Sequence, residues 1–250
     1  MILYKYYPPT INSFKSIVNA GLWCDQYLNM NDPFDSLAIA KRNFSVEEIQ
    51  EFRTQAKKSD DPEWNKMAEL SDELISEYIN GTRSEILSES YFFASLSERK
   101  DNILLWSHYG QSHTGFVLEI ELDENDHHLQ KVSYENSLPS FDTSWFFKFL
   151  DEESDDKKNS PMVAYLLKDF AIKSKHWQYE EEWRVCIKNK GYFRYDPSKI
   201  KGVYFGMNSD PEVEKIVIFL GSVLTKDVPV YKMQLDPEPL GLIAVDYVGN

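Results

Sequence analysis

The segment from Tyr179 to Arg184 places three consecutive glutamates directly before a tryptophan and an arginine. Side chains of an extended strand alternate between two faces, so Glu180 and Glu182 are predicted to share one face and Glu181 to occupy the other. Arg184 follows Glu182 by two residues and is therefore predicted on the same face. Burying charges of this kind without partners is costly. The pattern thus predicts either a polar site or a surface acid cluster with a structural Glu–Arg pair.

Two further segments carry side chains that could bind or react. The run Trp106–Tyr109 puts a hydroxyl, an imidazole and a phenol on one short predicted helix, and His108 is either a packing residue or a catalyst. The loop Asn31–Asp35 contains Asn31 and Asp32 before a proline, a composition typical of a turn. We expect Asp32 to hydrogen-bond backbone amides or to meet a basic side chain at the rim of a cleft, and the alternative is that the loop only connects two elements.

Metal and phosphate-loop motifs are missing from the sequence. None of the five histidines pairs with a cysteine or carboxylate at a spacing typical of zinc ligands, and the only ten glycines form no glycine-rich run. The sequence therefore predicts neither a metal site nor a nucleotide-binding P-loop.

Charge and cysteine content limit the possible partners. The 250 residues have a formal net charge of −14, which disfavours binding of nucleic acid through a broad basic surface. Residues 165–201 carry nine Lys/Arg and five acids, which indicates either a local anion site or a solvated charged face. The first residues lack a signal-peptide pattern, no apolar run approaches the ~20 residues of a membrane helix, and there are two cysteines. These features predict a cytoplasmic protein with reduced thiols and no membrane partner.

The elements that must position these residues are predicted to form one α+β domain covering residues 1–250. Short strands occur in clusters separated by helices, which favours mixed or antiparallel sheets over regular βαβ units. Residues 45–89 are charged and helical and are predicted to form a helical insertion. Ser45 and Glu48 form a capping box there, and Asp61 with Pro62 starts a second helix that is predicted to end at Gly81.

Four segments together resemble a bacterial domain-of-unknown-function family, the one numbered 2971. They follow one another in the same order over nearly the whole chain: Leu3–Tyr6, Asn31–Asp35, Ser95–Ser97 with Asn102–Phe116, and Trp177–Arg184. The family name implies no chemistry, so the function must be inferred from the site itself.

A second resemblance is to ADP-ribosyltransferases. That family uses a basic or histidine residue on the first strand, a Ser-x-Ser motif on a later strand and a Glu-x-Glu or Gln-x-Glu motif after it. This sequence offers Lys5, then Ser95 and Ser97, then Glu180 and Glu182, although Lys5 stands where arginine or histidine is expected. The resemblance implies a split, ADP-ribosyltransferase-like sheet and NAD as the substrate, with no metal cofactor.

The resemblance also implies roles for individual residues. Cleavage of the nicotinamide–ribose bond passes through an oxocarbenium-like state, which a nearby carboxylate stabilises. The catalytic residues would be Glu182 and Glu180, with Ser95 and Ser97 setting the strand geometry. The residues that would contact NAD include Lys5 or Arg184 at the diphosphate and Tyr6 or Tyr109 at a ring, together with Asn31, Asp32, Trp106 and His108.

The expected function is therefore NAD-dependent ADP-ribosyl transfer or NAD hydrolysis, in a toxin or anti-phage effector. The acceptor would be a nucleic acid or a protein, and an inhibitory partner would restrain the activity. The alternative is a non-enzymatic protein whose Tyr, Trp, Arg and Glu side chains recognise a nucleotide or a protein partner.

Overall fold

The computed structural model describes residues 1–26, 42–137, 147, 171–225, 227–238 and 240–249, except for the side chains of residues 86–90. The chain forms two compact units. The first comprises Met1–Asp25, Phe93–Val132 and His176–Asn250, and the second comprises Gln26–Phe92 and Ser133–Lys175. The assignment of residues 1–250 to a single domain stays a prediction.

Twelve strands are found in the described part of the chain. They are β1 (Ile2–Tyr7), β2 (Gly21–Cys24), β3 (Phe92–Ser97), β4 (Phe116–Glu121), β5 (Leu129–Lys131), β6 (Ser133–Glu135), β7 (Ile172–Ser174), β8 (Glu182–Ile187), β9 (Gly191–Arg194), β10 (Ile200–Phe205), β11 (Val230–Asp236) and β12 (Gly241–Asp246). Eight of them form one sheet in the order β12-β11-β10-β4-β1-β3-β8-β5. The pairs β2–β9 and β6–β7 form two small separate sheets.

The large sheet is mixed. Strand β1 runs antiparallel to both β3 and β4, and β4 runs antiparallel to β10, whereas β10 and β11 are parallel. The described part of the chain also contains six α-helices. The predicted α+β class is therefore confirmed, and the split of the sheet that the ADP-ribosyltransferase resemblance implies stays a prediction.

The core of the first unit lies against its central strands. The alternating pattern of Phe116–Leu122 predicts a half-buried strand, but β4 is buried at most positions, including residues on both of its faces. Strands β1 and β10 cover its two edges. One buried cluster consists of Tyr6, Leu105, Trp106, Val117, Tyr204, Met233 and Leu242. Strand β4 thus lies at the centre of the sheet, and β1 beside it pairs with β4 on one edge and with β3 on the other.

The described part of the first unit contains three α-helices: α1 (Ile11–Val18), α5 (Ile103–His108) and α6 (Pro211–Leu224). Each begins at a residue whose side chain accepts a backbone N–H of the first turn, namely Thr10, Asn102 and Asp210. Helices α1 and α6 pack on each other. Local capping therefore sets where these helices begin.

The second unit contains α2 (Val46–Ala56), α3 (Pro62–Ala68) and α4 (Asp72–Ser90), so residues 45–89 are helical as predicted, and their status as an insertion into one domain stays a prediction. The capping box of Ser45 and Glu48 forms as predicted, as does the start at Asp61. The predicted end at Gly81 is wrong. The Ser71 hydroxyl accepts the Leu74 N–H and begins a new helix, which continues through Gly81.

No helix in the described part of the chain is both long enough and apolar enough to cross a membrane.

Candidate functional site

The sheet brings three motif-bearing strands side by side. Strand β1 carries Lys5, β3 carries Ser95 and Ser97, and β8 begins at Glu182, and these strands are consecutive in the sheet order. The junction between β3 and β8 includes a hydrogen bond from the Glu98 N–H to the Glu181 carbonyl oxygen. Lys5 and Glu182, which are far apart in the sequence, therefore lie on two strands that are separated only by β3.

Glu182 and Arg184 form a buried ion pair on β8. Arg184 Nε donates to Glu182 Oε1 at 2.9 Å, and Arg184 Nη2 donates to Glu182 Oε2 at 3.2 Å. The two residues are only 3% and 2% exposed. Such a two-point pair fixes the orientation of both side chains, and it supplies the counter-charge that a buried carboxylate requires.

Lys5 lies near this pair. Its Nζ donates a 2.8 Å hydrogen bond to the Ser95 carbonyl oxygen on β3. Burial lowers the pKa of the Lys5 ammonium, and the nearby Cys24 and Glu182 oppose this shift. The charges of Lys5 and Glu182 are therefore close enough to interact, as expected for groups that line one site.

Glu180 and Glu182 are both buried, but not because they alternate along one strand. Strand β8 starts only at Glu182, and Glu180 ends a short 3₁₀ helix that covers Lys175–Glu180. Between them Glu181 has a φ of 44°, in the left-handed region that non-glycine residues rarely adopt. This kink leaves the Glu181 side chain 42% exposed and 3.6 Å from Arg99. Backbone strain of this kind clusters at functional sites.

The Glu180 carboxylate contacts Tyr109. The Tyr109 hydroxyl, just after α5, donates to Glu180 Oε1 at 2.7 Å. Helix α5 is joined to the same segment a second time, because Asn102 Nδ2 donates to the Tyr179 carbonyl oxygen at 2.7 Å. Asn102 was not singled out from the sequence, although an asparagine directly before a short apolar helix is a recognisable capping signal.

The two serines of β3 lie on the face of the sheet opposite to the Lys5 side chain. Tyr4 pairs with Ser97 in register, so Ser97 and Ser95 share the face of Tyr4, and Lys5 points to the other. The Ser97 hydroxyl donates to the Glu180 carbonyl oxygen and accepts the Arg99 N–H. Ser97 therefore fixes the backbone that carries Glu180, which agrees with a role in strand geometry.

Two of the residues proposed to contact NAD are packed in the core. Tyr6 meets Trp106 edge to face, with ring centroids 5.3 Å apart. The Tyr6 hydroxyl donates to the Arg99 carbonyl oxygen, and Trp106 Nε1 donates to that of Lys100. Their contact with NAD stays a prediction, and the structure gives both a packing role.

Of the other residues proposed to contact NAD, His108 lies at the surface. His108 is exposed, and its ring lies near those of Tyr109 and Trp177, with centroids 6.3 Å and 6.5 Å away. It is accessible to a ligand. Asn31 and Asp32 lie outside the described residues.

The ionisable side chains around this segment thus form two groups. Lys5, Glu182 and Arg184 provide two cations and one carboxylate, whereas the Glu180 carboxylate and the Tyr109 phenol form a second group beside the core of Tyr6 and Trp106. Ionisable groups that are desolvated and paired in this way mark functional sites more often than other positions, although structural networks share the property. Lys5 and Arg184 are the cations that could hold an anionic ligand, and the carboxylates could stabilise a developing positive charge.

Residues 105–185 match the model of a family described as a protein of unknown function, DUF2971. This range includes Trp106–Tyr109 and extends through Tyr179–Arg184, so the predicted resemblance to that family is confirmed. Comparisons with curated proteins and with solved structures found no match. The resemblance to ADP-ribosyltransferases stays a prediction.

Proposed function

We propose that this chain cleaves the nicotinamide–ribose bond of NAD and transfers the ADP-ribosyl group to an acceptor or to water. The observation that carries the proposal is the adjacency of β1, β3 and β8, with Lys5, the Ser95–Ser97 motif and Glu182 on neighbouring strands. The ADP-ribosyltransferase resemblance assigns the basic residue, the serines and the glutamate to elements in this same order.

The chemistry of these side chains suits such a reaction. A carboxylate that is held in place and shielded from water interacts more strongly with an oxocarbenium-like centre than one that is free in solvent. Glu182 is the proposed carboxylate, oriented by Arg184, and Glu180 is the second acid, held by Tyr109. Lys5 is the proposed partner of the NAD diphosphate. Its ammonium is already desolvated, so an anionic ligand would strengthen its charged form.

The proposal extends to a biological role for this reaction. NAD consumption or ADP-ribosylation in the cytoplasm would suit a toxin or an anti-phage effector, with a nucleic acid or a protein as acceptor and an inhibitory partner. Cys24 and Cys186 are both free thiols, which is compatible with a reducing compartment.

One observation favours a second, non-enzymatic function. The Glu182–Arg184 pair satisfies its own charges inside the protein, as structural ion pairs do. In that case Tyr109, His108 and Trp177 would form part of a surface that recognises a nucleotide or a protein partner without turnover.

Incubation of the purified chain with NAD, with nicotinamide release as the readout, distinguishes these functions. Release without an acceptor would indicate a hydrolase, and release only with RNA, DNA or protein would indicate a transferase. The Glu181→Gln variant serves as the control because Glu181 lies between Glu180 and Glu182 but is exposed. Absence of nicotinamide release in all of these reactions, from a folded protein, would contradict the enzymatic proposal and favour the binding protein.

A further inference from the structure

The turn that joins β4 to β5 ends in three consecutive residues that can ligate metals, Asp126, His127 and His128. Asp126 Oδ1 lies 2.8 Å from His128 Nδ1 and 3.7 Å from His127 Nδ1. The two imidazole rings lie side by side, with centroids 3.8 Å apart. One ligand atom of each residue lies within 4.8 Å of those of the other two. No other group of this kind occurs in the described part of the chain.

These distances approach those of a coordination shell. A zinc ion binds imidazole nitrogen and carboxylate oxygen at about 2.0–2.2 Å, so two ligands of a tetrahedral ion are roughly 3.4 Å apart. The two distances from Asp126 Oδ1 lie on either side of this value. Movement of the side chains by about 1 Å or less would place all three ligand atoms around one ion.

The backbone of the turn is held firmly. The Asp126 side chain accepts the His128 N–H, and the Asp126 carbonyl oxygen accepts the Leu129 N–H, both at 2.9 Å. The His128 carbonyl oxygen accepts the Cys186 N–H of β8 at 2.8 Å. The ligands therefore require little ordering when an ion binds, which reduces the entropic cost of binding.

Local charge and exposure also suit a cation. Residues 122–130 contain three carboxylates and no lysine or arginine. The His127 side chain is 86% exposed, so an ion has access from solvent and a water molecule can occupy a fourth position. Two imidazoles and one carboxylate form a donor set that suits zinc and its neighbours in the first transition row and does not suit magnesium.

We propose that Asp126, His127 and His128 bind one divalent transition-metal ion, with Zn²⁺ as the expected ion. The site is independent of the proposed NAD chemistry. Its ion would hold the turn against the edge of the sheet, where β5 pairs with β8 and Gln130 lies opposite Arg184. The bound ion would therefore stabilise the folded state.

Isothermal titration of the metal-free protein with Zn²⁺, supported by competition with a chromophoric chelator, tests the proposal. We expect saturable binding of one ion, a higher Tm in the presence of Zn²⁺ and no response to Mg²⁺. His127→Ala and His128→Ala should each weaken binding at least about tenfold, as should Asp126→Asn. His176→Ala changes an exposed histidine elsewhere in the unit and should leave the affinity unchanged.

His127→Ala is the decisive variant because its side chain is mostly in solvent and makes little contribution to folding. The Tm of the metal-free variant should match that of the metal-free wild type. Several results would overturn the proposal: no saturable binding, unchanged affinity in His127→Ala, or an equal loss of affinity in His176→Ala, which would indicate adventitious binding by surface histidines.

Discussion

Arg184 and Glu182, two residues apart on β8, face each other in a buried ion pair with hydrogen bonds of 2.9 Å and 3.2 Å. Each side chain is the other's counter-charge in a region shielded from water. Any substitution of Glu182 therefore affects stability as well as the proposed chemistry, so the two effects must be measured on the same sample.

Glu182→Gln should lower both stability and activity. Loss of one partner from a buried pair costs about 3–5 kcal/mol, because the remaining charge is left uncompensated. Loss of a carboxylate that stabilises a transition state should lower the rate of NAD cleavage per folded molecule by about 10²–10³. Thermal melting and nicotinamide release measured side by side test both effects.

Glu181→Gln is the matched control. Its side chain is 42% exposed and its partner Arg99 lies 3.6 Å away, so the change should cost less than about 1 kcal/mol and leave the rate unaffected. Equal rates in the wild type and in Glu182→Gln would end the transferase proposal. A melting temperature of Glu182→Gln equal to that of the wild type would contradict the role of the ion pair in stability.

Gly115→Ala should destabilise the first unit strongly. A Cβ at this position would lie 2.1 Å from the Tyr7 carbonyl oxygen, a backbone atom that cannot turn aside. Because β1 and β4 would have to separate there, we expect a loss of about 1–3 kcal/mol or more in chemical denaturation. Gly81→Ala is the comparison, since Gly81 lies inside α4 with no atom within 4 Å of the added Cβ. It should instead stabilise the protein by about 0.5–1 kcal/mol, and equal effects of the two changes would be inconsistent with this packing.

Glu214 should contribute stability that depends on pH. It is bound by Lys232, Ser209 and Tyr247, and these contacts outweigh burial and hold the pKa of its carboxyl below the usual value of 4.5. A lowered folded-state pKa gives stability that is complete above the ordinary pKa and is lost as pH falls through the folded-state value. Glu214→Gln should therefore be less stable than the wild type near neutral pH, by roughly 2 kcal/mol.

The stability difference between wild type and Glu214→Gln should then shrink as the pH drops below 4.5. Denaturant titrations of both proteins across this range provide the measurement. Glu212→Gln, on the exposed side of the same helix, is the control. A difference that stays constant with pH would show that the charge of Glu214 is not what stabilises the fold.

His113 should make the protein less stable in mild acid. Burial lowers the pKa of its imidazole from the usual 6.5, and its Nδ1 has no hydrogen-bond partner in the described structure. Below pH 6.5 the unfolded chain takes up a proton that the folded chain does not, so stability falls until the folded-state pKa is reached. His113→Asn removes the titration and suits the φ of 65° at this position.

Melting temperatures at about pH 7.5 and about pH 5.5 test this expectation. The decrease should be larger for the wild type than for His113→Asn, whereas His108→Asn, at an exposed histidine, should behave as the wild type does. Identical pH dependence in all three proteins would exclude His113 as the cause.

Local elements could be predicted because neighbouring residues determine them. The Ser45–Glu48 capping box and the Asp61–Pro62 start depend on hydrogen bonds across three positions or fewer, and both form. The incorrect prediction of a helix end at Gly81 also came from a local pattern. Apolar residues from Met67 to Tyr78 recur at helical spacing, which predicts one continuous helix. Ser71 is a favoured N-cap residue, however, and starts a second helix there.

The candidate site was only partly predictable. The sequence identified Glu180, Glu182 and Arg184 as a charged group, but it assumed a continuous strand, whereas a left-handed Glu181 separates a 3₁₀ helix from β8. The sequence also gave no indication of the turn that is proposed to bind a metal ion. The histidines were compared with the spacings typical of zinc ligands, and consecutive residues do not have such a spacing. In Asp126–His128 a turn brings the three consecutive side chains together.

The sequence by itself determined the class of fold, the helical character of residues 45–89, the helix starts at Ser45 and Asp61 and the residue types available for chemistry, because these follow from composition and from contacts a few residues apart. Only the tertiary structure decided that β1, β3 and β8 are neighbours, that Lys5 reaches Ser95, and that Trp106 is in the core. Strand order depends on which apolar faces are buried together by residues roughly 80 to 120 positions apart, and such pairings leave no local signal in the chain.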